Sequence, residues 1–172
     1  MKKVNMILGR FQPITLGHMK MVEELYKRNG YPTVFCMIPN NKFDDRHPFS
    51  DELIYQQFAQ ISNNKIAGHI YVKNADIVKF AEELHKNNYE PYLWAAGTDR
   101  YKAYKKQSDG YKEKAGLLTE FDVIEIRRTD EDISATKVRE SIIANDIEMF
   151  IKMTPKNSDK LFNEFKEEIA KV

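Results

Sequence analysis

The sequence predicts an open, doubly wound α/β fold on a parallel sheet, and three observations predict it. Short continuous apolar runs recur along the chain, helical stripes of about 10 to 15 residues separate them, and the runs end in loops rich in Gly, Pro, Asn and Asp. Such runs suit strands buried on both faces.

The first run, residues 3–9, ends at Gly9 and reads as a buried strand. Met19, Val22, Leu25 and Tyr26 then form a helical stripe within residues 17–28, closed by Asn29 and Gly30. Residues 33–38 make a second strand, stopped by Pro39, Asn40 and Asn41. A polar loop with Asp44, Asp45 and Arg46 leads to Pro48. Ser50 is placed to cap a helix carrying Leu53, Ile54, Phe58 and Ile61. Residues 69–72 read as a third strand. Asp76 caps a helix with Ile77, Phe80, Ala81 and Leu84, and residues 92–96 form a fourth strand ended by Gly97, Thr98 and Asp99. A Lys- and Tyr-rich stretch, helical or loop, precedes a fifth strand over residues 121–126, and Ser134 opens a helix through Ala144. Residues 157–170 read as a charged amphipathic helix with Leu161, Phe162, Phe165 and Ile169 on one face. The expectation is one α/β domain over residues 1–153, with residues 154–172 as its helical appendage. Parallel sheets of this kind bind ligands past the carboxyl ends of their strands. Residues 9–18, 39–48, 74–76, 97–100 and 127–136 should therefore share one rim.

Composition removes several classes. The net charge is +1, from 27 basic and 26 acidic residues, so a nucleic-acid partner is not expected. No apolar run approaches the ~18–20 residues of a membrane span. The start of the chain reads as a strand, because Arg10 interrupts an apolar stretch too short for an export signal. Cys36 is the single cysteine and lies in an apolar run, so it is expected as a buried thiol in a reducing, cytoplasmic protein. His47, His69 and His85 lack zinc-ligand spacing. Lys102, Lys105, Lys106, Lys112 and Lys114, with Arg127 and Arg128 beyond, read as a solvated face, the alternative being a rim that attracts an anionic substrate. Oligomeric state is not written in the sequence, and a homo-oligomer is compatible with it.

The most informative segment follows the first strand: Gly9, Arg10, Phe11, Gln12, Pro13, Ile14, Thr15, Leu16, Gly17, His18. Gly9 permits a sharp turn and Pro13 stiffens it. Thr15 and His18 share one face of the helix start, and Gly17 leaves space for a phosphate near the backbone. The first amides of a helix are unpaired donors with partial positive charge, and Arg10 adds a planar fork. Neither a Walker loop nor a dinucleotide fingerprint is present. A second helix start follows at residues 133–139, Ile-Ser-Ala-Thr-Lys-Val-Arg. There Ser134 is a good N-cap, and Thr136 and Arg139 can reach the same anion.

The first segment resembles the H-x-G-H motif of the nucleotidylyltransferase superfamily in its Thr-x-Gly-His form, and Gly-Arg-Phe-Gln-Pro is similar to the opening of nicotinamide mononucleotide adenylyltransferases. Residues 133–139 resemble that superfamily's Ile-Ser-x-Thr-x-x-Arg motif. Gly97-Thr98-Asp99 resembles its Gly-x-Asp segment, and residues 46–50 are similar to the Asn-Pro-Phe-Thr segment of archaeal-type enzymes, with His47 in place of the asparagine. The resemblance implies a Rossmann-like nucleotidyltransferase fold with C-terminal helices. It also implies direct in-line attack of an acceptor phosphate on the α-phosphorus of ATP, with release of pyrophosphate. His18, Thr15, Arg10 and Arg139 would then be catalytic. Gly9, Phe11, Gln12, Gly17, Gly97, Asp99, Ser134 and Thr136 would bind the nucleotide. Arg46 and Pro48 would meet the acceptor. Trp94 is the remaining acceptor-side candidate, although its place inside a strand favours a core role. Mg2+ is expected to ride mainly on the substrate phosphates. Nicotinamide mononucleotide is the favoured acceptor. The alternatives are phosphopantetheine adenylylation, cytidylyl transfer to a phosphorylated alcohol, or a non-catalytic nucleotide-binding regulator. A tRNA-charging fragment is disfavoured, since no Lys-Met-Ser-Lys-Ser-like string is present.

Overall fold

The computed structural model describes residues 1–74, 76–115, 121–127 and 134–172. Residues 75 and 128–133 of the expected rim, Ile133 of the second motif among them, lie outside the described residues, as does the side chain of Lys114. The chain divides into two compact units. A sheet unit comprises Met1–Gly9, Met21–Ile38 and Asn64–Asp130; a motif unit comprises Arg10–Lys20, Pro39–Asn63 and Glu131–Val172.

In the sheet unit, strands β1 (Lys2–Gly9), β2 (Thr33–Met37), β3 (Ile66–Tyr71), β4 (Tyr89–Ala96) and β5 (Asp122–Glu125) pair in parallel. Their order is β3-β2-β1-β4-β5. The order reverses at β1 and β4, which is the doubly wound pattern and its switch point. Because all five strands run the same way, their carboxyl ends lie on one edge. Ile38 N–H donates to the Gly9 carbonyl at 3.0 Å, Val72 N–H to Met37 at 3.0 Å, and Ile126 N–H to Ala96 at 2.9 Å.

The sheet is buried on both faces. Val4, Met6, Val34, Cys36, Trp94 and Val123 join a core with Phe80, Leu84 and Phe121, while Ile7 and Phe35 are buried on the alternate positions. Burial pushes the Cys36 thiol well above its ordinary pKa, so it is inert packing. A bulge between Val4 and Met6 is filled by Asn5. Asn5 is fully buried, exchanges amide hydrogen bonds with Asn29 at 2.8 and 2.7 Å, and accepts from Leu93 N–H at 3.2 Å. β3 starts three residues before the apolar run at 69–72 suggested. Its Gly68 lies under Tyr89, whose hydroxyl would sit 2.9 Å from an added Cβ and which donates to the Ala67 carbonyl.

Helix α1 (Leu16–Asn29) begins in the motif unit and continues in the sheet unit. Helix α2 is Asp51–Gln60. Helix α3 (Ile77–Lys86) is capped by Asp76, which accepts from Val78 N–H, and it buries Ile77, Phe80, Ala81 and Leu84. The Lys- and Tyr-rich stretch is helix α4 (Thr98–Ala115), and its Lys105 and Lys112 pair with Asp122 of β5.

In the motif unit, Ser50 caps α2 and Ser134 caps α5 (Ala135–Ile143). Sequence reading missed α6 (Ile147–Met153). Asn145, at φ 56°, turns the chain after α5, and Asp146 caps the new helix through Met149 N–H. The helix is only seven residues long, and its exposed Ile147, Met149 and Ile151 blur any stripe. The helix expected over residues 157–170 divides into a 3-10 turn (Ser158–Leu161) and α7 (Phe162–Ile169). Phe49, Phe150, Phe162 and Phe165 form the unit's aromatic core, with Phe49 edge-on to Phe165 at 4.8 Å. Among the described residues, no helix is long and apolar enough to cross a membrane.

Candidate active site

The motif unit brings both motif segments and the loop after β2 into one hydrogen-bonded network. At the start of α1, Thr15 is the N-cap, and its Oγ1 accepts from Gly17 N–H at 3.1 Å. His18 closes the cap from the other side, its Nδ1 accepting from Thr15 N–H at 3.0 Å. This is the geometry of a capping box with an imidazole where Glu or Gln usually stands. The bond has a chemical consequence. A neutral ring whose Nδ1 accepts must carry its hydrogen on Nε2, the nitrogen on the far side of the ring from the cap.

The turn before the helix is held in an unusual shape. Phe11 has φ 53° although it carries a side chain, and such a residue costs about 1–2 kcal/mol in that region. The Gln12–Pro13 peptide is cis. Neighbouring groups hold this path. The Phe11 ring lies edge-on to His18 at 4.8 Å. The Gln12 amide pairs with the Phe49 backbone, donating to its carbonyl at 3.0 Å and accepting its N–H at 2.8 Å. The Gln57 amide pairs in the same way with Ile14, accepting at 2.9 Å and donating at 2.9 Å, and also donates to Ser158 Oγ at 3.1 Å. Two buried glutamines thus grip the turn on either side of Pro13.

The second motif joins this turn directly. Arg139 Nη1 donates to the Gln12 carbonyl at 2.7 Å, and its Nη2 donates to Thr136 Oγ1 at 3.3 Å. Burial pushes the Arg139 pKa down from its ordinary value. Asp45 and Asp44 push it up, and Arg46 pushes it down. These couplings put the 44–46 loop within electrostatic reach of Arg139. Ser134 caps α5 by accepting from Lys137 N–H at 3.3 Å. Arg10 presents a buried Nη1 with no hydrogen-bond partner among the described residues, a donor that an anionic oxygen would satisfy.

The loop after β2 is ordered by its own polar groups. Asn40 donates to the His47 and Phe49 carbonyls, each at 2.8 Å. Asp44 accepts from the His47 ring at 2.9 Å and from the His47 and Arg46 amides. Desolvation pushes the Asp44 carboxyl up, but these bonds outweigh it and leave the carboxyl below its ordinary value. Arg46 is exposed and Pro48 is buried, and a pocket of about 310 Å³ is lined by Phe43, Pro48, Ser50, Glu168, Lys171 and Val172.

Other residues singled out from the sequence lie elsewhere or act differently. Gly9, Gly97, Asp99 and Trp94 belong to the sheet unit. Gly9 closes β1 and Gly97 follows β4 on the same edge. Trp94 is fully buried and stacked on Tyr104 at 4.3 Å, so its ring is core and is closed to an acceptor. Gln12, expected on the nucleotide, spends its amide on Phe49; with 4% of its surface exposed it supports the turn. The Phe11 side chain is buried as well, at 3% exposed. Sequence reasoning overlooked Gln57, Asn40 and Glu168. A signal for Gln57 was available, since it falls on the apolar stripe of α2 beside Leu53 and Ile54. Among the described residues there is no group of three or more His, Cys, Asp or Glu that could hold a metal ion.

Comparison with known proteins agrees with this architecture. Residues 6–141 match the family described as Cytidylyltransferase-like. A comparison with curated proteins found no match. Among solved structures, the chain is similar to a Plasmodium falciparum nicotinic acid mononucleotide adenylyltransferase complexed with NaAD, with TM-score 0.64, 16% identity and 96% of each chain covered. It is also similar to a Francisella tularensis bifunctional NMN adenylyltransferase/ADP ribose pyrophosphatase, with TM-score 0.61, 17% identity, 99% of this chain and 53% of that chain covered. A third similar structure is Thermotoga maritima TmcAL bound with alpha-thio ATP, with TM-score 0.60, 12% identity, 97% of this chain and 56% of that chain covered.

Proposed function

Since the chain belongs to the cytidylyltransferase-like family, we propose that it is a nucleotidyltransferase that moves AMP from ATP to a phosphorylated small-molecule acceptor, with nicotinamide mononucleotide the favoured acceptor and NAD the product. The observation that carries this reading is the bond from Arg139 to the Gln12 carbonyl, which ties two motifs of phosphate-binding chemistry into one network.

The chemistry follows from the donors present. Attack of an acceptor phosphate oxygen on the α-phosphorus forms one P–O bond and breaks the bond to pyrophosphate, so negative charge builds on oxygens throughout. A site for this reaction supplies fixed donors and positions both anions. The Nε2–H of His18 would donate to the α-phosphate, held in aim by Thr15 N–H at its other nitrogen. Arg10 would add its unpaired buried nitrogen. Arg139, Thr136 and the first amides of α5 would hold the β and γ phosphates. Magnesium, when bound, neutralises phosphate charge. It would be held mainly by the triphosphate. Arg46 and Pro48 would face the acceptor, and the names of the Plasmodium and Francisella structures support a pyridine mononucleotide.

A pyrophosphate-release assay with ATP, CTP, GTP and UTP against nicotinamide mononucleotide, nicotinic acid mononucleotide, phosphopantetheine and phosphorylated alcohols tests the proposal. ATP with nicotinamide mononucleotide should give the highest kcat/KM. Turnover with another acceptor alone would replace the favoured substrate. Tight ATP binding with no turnover on any acceptor would replace the enzyme by a nucleotide-binding regulator.

A further inference from the structure

We propose that Glu168, in the last turn of α7, is a positioning residue for the substrate site, a clamp that sets the loop of residues 40–50; this rests on the transferase reading above. Its carboxylate takes both hydrogen-bond donors of Ser50, accepting from the backbone N–H at 2.7 Å on one oxygen and from the hydroxyl at 3.0 Å on the other. These partners are 118 residues apart in the chain. Ser50 Oγ simultaneously accepts from Leu53 N–H at 3.2 Å as the cap of α2, so the hydroxyl is held as donor and as acceptor. A carboxylate at this point is favoured, because the start of α2 presents unpaired amides and partial positive charge.

The clamp leads to the site in few steps. Ser50 adjoins Phe49, whose backbone N–H and carbonyl are both bound by Gln12. The Gln12 carbonyl in turn receives Arg139. α7 is itself fixed, since Phe165 is fully buried and edge-on to Phe49. The same tail reaches the other side of the turn, where Ser158 accepts from Gln57, the partner of Ile14. Glu168 and Ser50 also form part of the wall of the pocket that Pro48 lines. Releasing Ser50 would loosen this wall and the loop without removing any donor from His18, Arg10 or Arg139. The clamp therefore acts on binding of the acceptor more than on the chemical step.

The test compares Glu168→Ala and Glu168→Gln with Glu167→Ala, an exposed neighbour that changes charge equally. Two readouts are taken on the full chain: amide hydrogen exchange over residues 43–53, and kcat and KM for ATP and for the acceptor identified by the panel. Glu168→Ala should speed exchange at Ser50 on the order of 10-fold and raise the acceptor KM by about the same factor, with kcat within about 2-fold, the scale of losing bonds to a charged partner. Glu168→Gln keeps one acceptor, enough for the Ser50 N–H but not for the hydroxyl as well, and should therefore reverse part of both effects. Unchanged exchange at Ser50, or a fall in kcat with acceptor KM constant and no rescue by Gln, overturns the proposal. If the wild-type chain turns over no acceptor, the transferase reading fails, and exchange at Ser50 alone then decides whether the clamp exists.

Discussion

Arg139 donates to the backbone carbonyl of Gln12 at 2.7 Å across 127 residues of chain, so the guanidinium that serves the second motif also braces the first. The fork uses a second nitrogen on Thr136. Lysine carries the charge but has no fork, so it cannot make both contacts and still face a phosphate. Arg139→Lys should therefore lower kcat/KM by about 100-fold, close to the loss for Arg139→Ala, with cooperative unfolding retained. Near-normal kcat/KM in the lysine variant would mean that the fork geometry is not used.

The capping-box bond at the start of α1 assigns the His18 tautomer, with Nδ1 accepting from Thr15 N–H. Ring nitrogen NMR at neutral pH should find the hydrogen on Nε2. His18→Ala should lower turnover by ~100-fold or more, the scale of one oriented donor in the transition state. Thr15→Val should cost about 1 kcal/mol of stability through the lost cap and should lower turnover as well. An Nδ1–H ring in the NMR spectrum would refute the assignment.

Gln57 is fully buried, and its amide satisfies the Ile14 N–H, the Ile14 carbonyl and Ser158 Oγ. Gln57→Leu fills similar volume but leaves these groups unpaired in the interior. It should destabilise the protein by about 2–4 kcal/mol, read from the midpoint of urea unfolding at constant m. A shift below about 0.5 kcal/mol would show that the turn does not depend on this grip.

Lys105 and Asp122 form a close ion pair in the sheet unit. The hydrogen bond to Asp122 raises the Lys105 pKa. Desolvation pushes Asp122 up, but its bonds to Lys105 and Val123 N–H outweigh this and leave it lowered. A lowered Asp contributes stability above its ordinary 3.8 and loses it as pH falls through the folded value. A raised Lys contributes below its ordinary 10.5 and loses it as pH rises through the folded value. Urea unfolding across a pH series should show wild type more stable than Asp122→Asn between those two ordinary values, with the gap closing at the acid end. A gap independent of pH would exclude the pair as its source.

The five strands, the caps at Ser50, Asp76 and Ser134, and the two motif segments were all legible from residue order. Each depends on local physics: an apolar run, a hydroxyl or carboxylate before a stripe, or a helix start beside Gly or Pro. α6 was not legible, because one short helix with exposed apolar residues has no periodicity to read. Trp94 shows how its strand position suggested the core and only the stacked Tyr104 fixed it there.

The role of Gln12 was set wholly by tertiary structure. An amide in a segment expected to bind phosphate reads as a ligand contact until a backbone 37 residues away takes both its donor and its acceptor. The same holds for Gln57 and Glu168, whose partners lie 43 and 118 residues distant. By itself the sequence determined the fold class and which donors and helix starts the chain carries, because these are local properties. Which of those groups stay available and which are spent on holding the turn was decided only by the folded chain, since hydrogen-bond partners far apart in sequence meet nowhere else.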